Sequence, residues 1–414
     1  MDTRLKVANL LTRPCPRRLG FYLFATSLLL SVLMNFVFLR TDQHRNTECF
    51  DGQNYFMPMA RSLWSQGVPL NRWGMFCTHQ GPGYPLVLAP ALAAAEVVSL
   101  KPVSVAQTLN IVLASIAVLG VFHLARRMMS WPFALIAALA FTVYPPFIWL
   151  TRDAYNEPLF AALMVWGTLT AISGIEGGKK FTLICGMILL AMATLTRAVG
   201  LLTPLVLMSA FVPGFYRNLH FWRVAFGGLL IYVAALTPWI CAATRHAGHL
   251  VIATTSFAGS HIDGLVSVKG NPLSLQATSF FQKHAHETSS IIAFHRLELP
   301  SHSGSYLLLF GQKIIDSWTA TEAGTGRTIL SIINLPLMTL TTLALWYLFF
   351  HAKRTTRTDL LLVLLLCYFW GMNILVWSTM RYMAPIAFLP LLLIARAADL
   401  FTVVNLSATS DIHN

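Results

Sequence analysis

Ten long, nearly uncharged runs constrain this chain more than any other feature: residues 19–39, 102–125, 131–150, 158–175, 181–196, 198–215, 224–243, 328–350, 360–380 and 382–404. A helix needs about 20 apolar residues to cross a hydrocarbon core of about 30 Å, and each run meets or approaches that length. Backbone groups in lipid must bond within their own segment, and the runs lack the alternation of a barrel strand, so helix is the form left to them. With 56% hydrophobic and 11% charged residues, the 414-residue chain is too apolar for a soluble domain. The expected fold class is all-α: a polytopic membrane protein of about ten transmembrane helices, one domain over 1–404, with 405–414 as a cytoplasmic tail and no soluble terminal domain.

A net charge of +13 would suit nucleic acid, but the charges punctuate the spans. Lys and Arg cluster at Arg4, Lys6, Arg13, Arg17 and Arg18, then at Arg126 and Arg127, Lys179 and Lys180, Arg217 and Arg223, and Lys353, Arg354 and Arg357. With ten spans every cluster falls on one side, which the positive-inside rule makes cytoplasmic, amino terminus included. Membrane lipids, not nucleic acid, are the partners this placement predicts. The first run follows basic residues as a signal peptide would, yet it is long and lacks a small-x-small cleavage site, so it reads as a retained anchor.

Three outer segments remain. The first loop, 40–101, carries Asp51, the stretch "HQGPGYPLVLAP" and an apolar piece at 86–100 too short to span, which is expected at the interface. The second, 244–327, holds scattered histidines and "YLLLFGQKIIDSW", which is expected to lie along the membrane. The third is the short connection "TRDAYNEP". Cys49 and Cys77 share the first loop, where an oxidising compartment would permit a disulfide. Trp64, Trp73, Trp131, Trp149, Trp239 and Trp318 lie near span edges, as an interfacial belt would.

Only sixteen acidic residues exist, so their positions inform. Asp51, Asp153 and Glu157 all fall at the outer surface. Asp51 reads either as an N-cap of a short surface helix or as a base. Asp153 and Glu157 would share one face of a continuous helix, whereas Pro158 favours a helix beginning there, with Asn156 or Glu157 as its cap. Arg197 in "ATLTRAVG" and Arg381 in "STMRYMAP" sit at the same level. A cation there either snorkels to headgroups or marks an anionic partner, and the planar guanidinium fork suits phosphate. Acids and arginines at one interface point to a substrate with a phosphate and a hydroxyl to be activated. "HAHE" at 284–287 lacks the spacing of a helical zinc motif.

In order along the chain, "FDGQNYFMPMARSLWSQGVP", "GPGYPLVLAP", "AQTLNIVLASIAVLGVFHLARRM", "RDAYNEPLFAAL", "MATLTRAVGLLTPLVL", "TPWI" and "RYMAPIAFLPLLLIA" resemble the GT-C glycosyltransferases, specifically the bacterial group similar to protein O-mannosyltransferases and aminoarabinose transferases. The resemblance implies a GT-C membrane domain with outer juxtamembrane helices, in a bacterial inner membrane, its active site facing out. It implies a polyprenyl-phosphate sugar donor and a lipid-linked glycan, lipid A-like or protein acceptor. It makes Asp51 the general base and Glu157 a second catalytic acid, supported by Arg152 or Asp153. Arg197 and Arg381 would stand near the donor phosphate, with Tyr84 and Tyr382 as neighbours. Many relatives carry an acidic pair where this chain has Asp51 then Gly52, so a first-loop metal site is in doubt and a divalent ion is the one cofactor left open. Direct displacement predicts inversion; a retaining route through Glu157 stays open. The rival reading is a transporter or flippase of lipid-linked sugars, which would place its ionisable residues near the midplane on broken helices.

Overall fold

Helix occurs in each of the ten apolar runs in the computed structural model, which describes residues 14–41, 50–215, 219–268, 271–283, 288–320, 327–351 and 355–410. In chain order the helices are α1 (Leu19–Thr41), α2 (Met57–Gln66), α3 (Gly83–Val97), α4 (Pro102–Ala125), α5 (Trp131–Thr142) and α6 (Pro145–Trp149). The antiparallel pair α7 (Glu157–Gly177) and α8 (Lys180–Thr196) follows, then α9 (Thr203–Phe215) and α10 (Leu219–Ala247). An outer layer comprises α11 (Phe257–Val266), α12 (Pro272–Phe281), α13 (Thr288–Glu298) and α14 (Ser303–Thr319). The chain ends in α15 (Arg327–Phe350), α16 (Arg357–Leu375), the short α17 (Met380–Met383) and α18 (Phe388–Ser410). Among the described residues the only strand-like pairing is an isolated bridge between Leu70 and Phe76.

Continuity departs from expectation. Among the described residues six helices (α1, α4, α7, α10, α15 and α16) are long and apolar enough to cross a membrane, and the pair α17–α18, bent by 49°, makes up to seven. Pro145 has no N–H to donate and disfavours helix at the residue before it, so the run 131–150 divides into α5 and α6. The runs 181–196 and 198–215 become helices of 17 and 13 residues, the second entered through a 3-10 turn at Ala198–Gly200. The run 360–380 stops at Leu375, five residues early.

The bundle core is built on α7 and α8. Their backbones meet closely because Gly186 carries no side chain: a Cβ there would stand 2.6 Å from the Ala171 amide nitrogen. Small residues at such crossings are how membrane helices gain close van der Waals contact. Gly186→Ala is therefore expected to destabilise by about 1–3 kcal/mol, as overpacking does, and to lower the thermal unfolding midpoint in detergent. An unchanged midpoint would show that the pair has room to separate.

The hairpin sets Glu157 at the first residue of α7 and Arg197 just past the last residue of α8, at one end of the bundle. The opposite end collects Arg126, Arg127, Lys179, Lys180 and Arg357, where Arg127 pairs with Glu176, and Arg396 with Asp359 at 3.2 Å. At the Glu157 end, α2 and α3 form the expected helices of the first outer loop. The outer layer has its own core of Ile262, Leu265, Leu273, Phe281, Phe294 and Leu309. Its α14 turns Trp318 inward and leaves Leu307 and Leu308 exposed. Trp64 and Trp73 are exposed as an interfacial belt requires, whereas Trp239 and Trp318 are buried, Trp239 donating to the Ala253 carbonyl at 2.6 Å.

Candidate active site

Glu157 is fully buried, and two arginines converge on its Oε1. Arg197 donates to that oxygen and lies 3.3 Å from Asn156 Oδ1. Asn156 in turn donates to the Thr196 carbonyl at 2.9 Å, tying the start of α7 to the end of α8. Arg381, on α17, donates from Nε to Glu157 Oε1 at 2.6 Å and from Nη2 to Asp51 Oδ2 at 2.7 Å. Asp51, Arg381, Glu157 and Arg197 thus form one chain of alternating charge, although 330 positions separate Asp51 from Arg381. Glu157 Oε2 has no hydrogen-bond partner among the described residues. The arginines also lie over rings: Arg197 is 4.6 Å from the centroid of Tyr382, and Arg381 4.9 Å from that of Tyr155. Such faces attract a cation while leaving its N–H edge available.

The cap readings fail. Asp51 precedes a single π-helical turn, Gly52–Phe56, and its side chain makes no capping bond; its carboxylate goes to Arg381 instead. Glu157 is likewise no solvated cap, since Asn156 takes the flanking position and the carboxylate is buried between guanidinium groups. The "GPGY" stretch seats the first loop on the end of α8. A Cβ at Gly81 would stand 2.0 Å from the Leu195 carbonyl oxygen, and one at Gly83 2.6 Å from the Thr196 nitrogen. Only glycine permits that approach, which places the first loop beside the arginine that follows Thr196.

The structure therefore brings together Asp51, Glu157, Arg197, Arg381 and Tyr382. Tyr84 is fully buried against Phe56, with ring centroids 5.4 Å apart, so it has no accessible surface to offer a donor. Arg152 lies 4.2 Å over the Trp149 ring. Asp153 accepts from the Ala154 amide at 2.6 Å, while its own carbonyl takes the Asn110 amide at 2.6 Å; both shape the connection that leads to Glu157. Sequence reasoning missed Tyr155, Asn156, Tyr55 and His79. Tyr55 and His79 flank Asp51, their rings 5.4 Å apart. Burial holds the His79 imidazole below its usual value against the opposing pull of Asp51 and Asp263. Burial raises the Tyr55 phenol, with Cys77 and Asp51 adding to the effect. Tyr55 and His79 both fall within quoted stretches, "FDGQNYFMPMARSLWSQGVP" and "HQGPGYPLVLAP", but neither is singled out there. Cys77 is buried, while Cys49 lies outside the described residues, as do His284, His286 and Glu287.

Among the described residues no three His, Cys, Asp or Glu side chains converge as ligands, and the two carboxylates at the site are already matched to two guanidinium groups.

No protein-family model matches the sequence, and no curated protein does. Solved structures match it in fold. ArnT from Cupriavidus metallidurans bound to undecaprenyl phosphate superposes with a TM-score of 0.54 at 13% identity, over 90% of this chain and 60% of that one. The Archaeoglobus fulgidus oligosaccharyltransferase AglB, in complex with an inhibitory peptide and a dolichol-phosphate, gives 0.57 at 15% identity, over 91% of this chain and 50% of that one. The same enzyme in complex with Zn and sulfate gives 0.57 at 16% identity. The fold is that of the GT-C glycosyltransferases, and the chain spans half to three-fifths of the length of these structures.

Proposed function

We propose that this chain is a membrane glycosyltransferase that moves a sugar from a polyprenyl-phosphate donor to an acceptor hydroxyl, with Asp51 as general base. The observation that carries the reading is the charge chain Asp51–Arg381–Glu157–Arg197, centred on the buried Glu157 at one end of an apolar bundle. Two structures of the same fold hold a polyprenyl phosphate, undecaprenyl in one and dolichyl in the other. The basic clusters at the opposite end support an outward-facing site in a bacterial plasma membrane with a cytoplasmic amino terminus. The acceptor is of the lipid-linked glycan, lipid A-like or protein class.

The chemistry follows from the charges. A polyprenyl phosphate keeps its tail in lipid and brings its phosphate to the bundle end. Arg381 exchanges its bond to Asp51 for one to the phosphate, since a guanidinium fork binds either oxyanion. That exchange releases the Asp51 oxygen that the ion pair had occupied. The acceptor hydroxyl attacks the anomeric carbon, Asp51 takes its proton, and the bond from that carbon to the phosphate oxygen breaks, releasing polyprenyl phosphate. One displacement inverts the anomeric centre. Glu157 keeps its two arginines aimed, and Arg381 and Arg197 stabilise the leaving phosphate as its charge grows. Glu157 is a poor nucleophile here, because it is fully buried and two guanidinium groups hold its charge.

The test is purified protein in lipid, offered a panel of polyprenyl-phosphate sugars with and without acceptor lipids or peptides, and mass spectrometry for free polyprenyl phosphate. Release that depends on acceptor, with inverted product, is the expected result. Donor movement between leaflets without bond cleavage would replace the transferase by a carrier.

A further inference from the structure

The break between α16 and α17 is held locally by Asn373, which donates to the Thr379 carbonyl at 3.3 Å, and by Ser378, which donates to the Asn373 carbonyl at 3.1 Å; further groups come from the outer layer. At Val376 the backbone leaves helical geometry, with φ −102° and ψ −111°. A helix end leaves its last carbonyls without intrahelical partners. His261 Nδ1, on α11, bonds the Leu375 carbonyl, and Lys313, on α14, donates from Nζ to the Val376 carbonyl at 2.9 Å. Gly264 admits the contact, since a Cβ there would stand 1.8 Å from the Val376 oxygen. The Met380 amide, one residue before Arg381, donates to the Ala320 carbonyl just past α14 at 2.9 Å. The segment that presents Arg381 is thus fastened at three backbone positions by the outer layer.

The fastening has a direction. A nitrogen facing a carbonyl must carry the proton, so His261 Nδ1 is the donor and its neutral ring accepts at Nε2. His295 Nε2, 2.9 Å away, must then donate, which leaves His295 Nδ1 to accept from the Tyr306 hydroxyl at 2.8 Å. The order Tyr306, His295, His261, Leu375 fixes one tautomer on each neutral imidazole. Protonating both rings sets two N–H groups against each other.

We infer that His261 and Lys313 are positioning residues for Arg381, fastening the outer helices to the break that aims its guanidinium, and that the fastening loosens in acid. The inference rests on the proposed function only for what Arg381 does.

Lys313 is the cation acting on both imidazoles, Phe257 stacks on His261, and Glu298, 3.0 Å from His302, acts on Tyr306. Burial pushes His261 down to about 4, with Lys313 and His295 adding to it against the Leu375 bond, and it lowers His295 as well. Burial brings Lys313 down to about 8. In each case the detached layer binds a proton that the fastened one refuses, so fastening strengthens as pH rises. For His261 the window runs from about 4 to 6.5, and for Lys313 from about 8 to 10.5. Between pH 7 and pH 5, His261 alone weakens the fastening equilibrium by about 20-fold.

Hydrogen–deuterium exchange on the full chain in nanodiscs tests this through peptides covering 376–383, with protection corrected for the intrinsic rate at each pH. Wild type should lose about 20-fold protection there between pH 7 and pH 5, while α7 peptides, which report folding, stay protected. His261→Phe and Lys313→Met should lose protection at 376–383 at both pH values. His261→Asn keeps an amide donor at the Nδ1 position that does not titrate, so it should hold protection at pH 7 and lose most of the pH response. Equal wild-type protection at the two pH values, or a His261→Phe peptide as protected as wild type, overturns the inference. The exchange readout needs no turnover, so failure of every donor in the release assay would remove the proposed function and leave this result standing.

Discussion

Asp51→Asn is expected to lower acceptor-dependent release of polyprenyl phosphate by about 10²–10⁴-fold in kcat, the usual worth of a general base. That range corresponds to about 3–5 kcal/mol of transition-state stabilisation. Asparagine is nearly isosteric, and its carbonyl oxygen can still accept from Arg381 Nη2, which reaches Asp51 at 2.7 Å. The frame around Arg381 should therefore survive, and donor binding should stay within a few-fold of wild type. The ion pair is partly solvated, with side-chain exposures of 15% and 19%, so its loss as a pair costs little. The split between kcat and donor affinity carries the argument. If kcat and donor affinity fell together, Asp51 would be an orienting partner of Arg381 and the base would have to be sought elsewhere, with His79 the next candidate.

Much of the fold was legible because lipid leaves few choices. Long uncharged runs must be helices, and each of the ten carries helix. Their continuity was not legible, because hydropathy averages across a Pro145 or a Val376 and reports one span where the backbone breaks. The site shows the same division. Asp51, Glu157, Arg197 and Arg381 stood out as charges placed where charge is costly, and the structure joins all four in one chain. The surroundings of Tyr84 were not legible, because only the tertiary fold shows the nearby glycines pressing the loop onto α8 and burying the ring. The bond from His261 to the Leu375 carbonyl had no sequence signal, because only the tertiary fold shows a helix end with carbonyls to satisfy.

Glu157→Leu is expected to be the most damaging change to the fold, and the manner of its rescue separates a structural knot from a phosphate site. The leucine fills comparable space but leaves Arg197 and Arg381, 8% and 15% exposed, facing each other without the carboxylate that both engage. Removing one partner of a buried pair typically costs about 3–5 kcal/mol, because the remaining charge is left uncompensated. Glu157→Gln should cost less, since its amide oxygen still accepts at the Oε1 position. A polyprenyl phosphate arriving at this site would return negative charge to the two guanidinium groups. It should therefore raise the thermal midpoint of Glu157→Gln by more than it raises that of wild type, as a ligand selective for the folded state stabilises in proportion to its affinity. Equal ligand shifts in the two proteins would place the phosphate away from these arginines, and the carboxylate would then serve only to hold α7, α8 and α17 together.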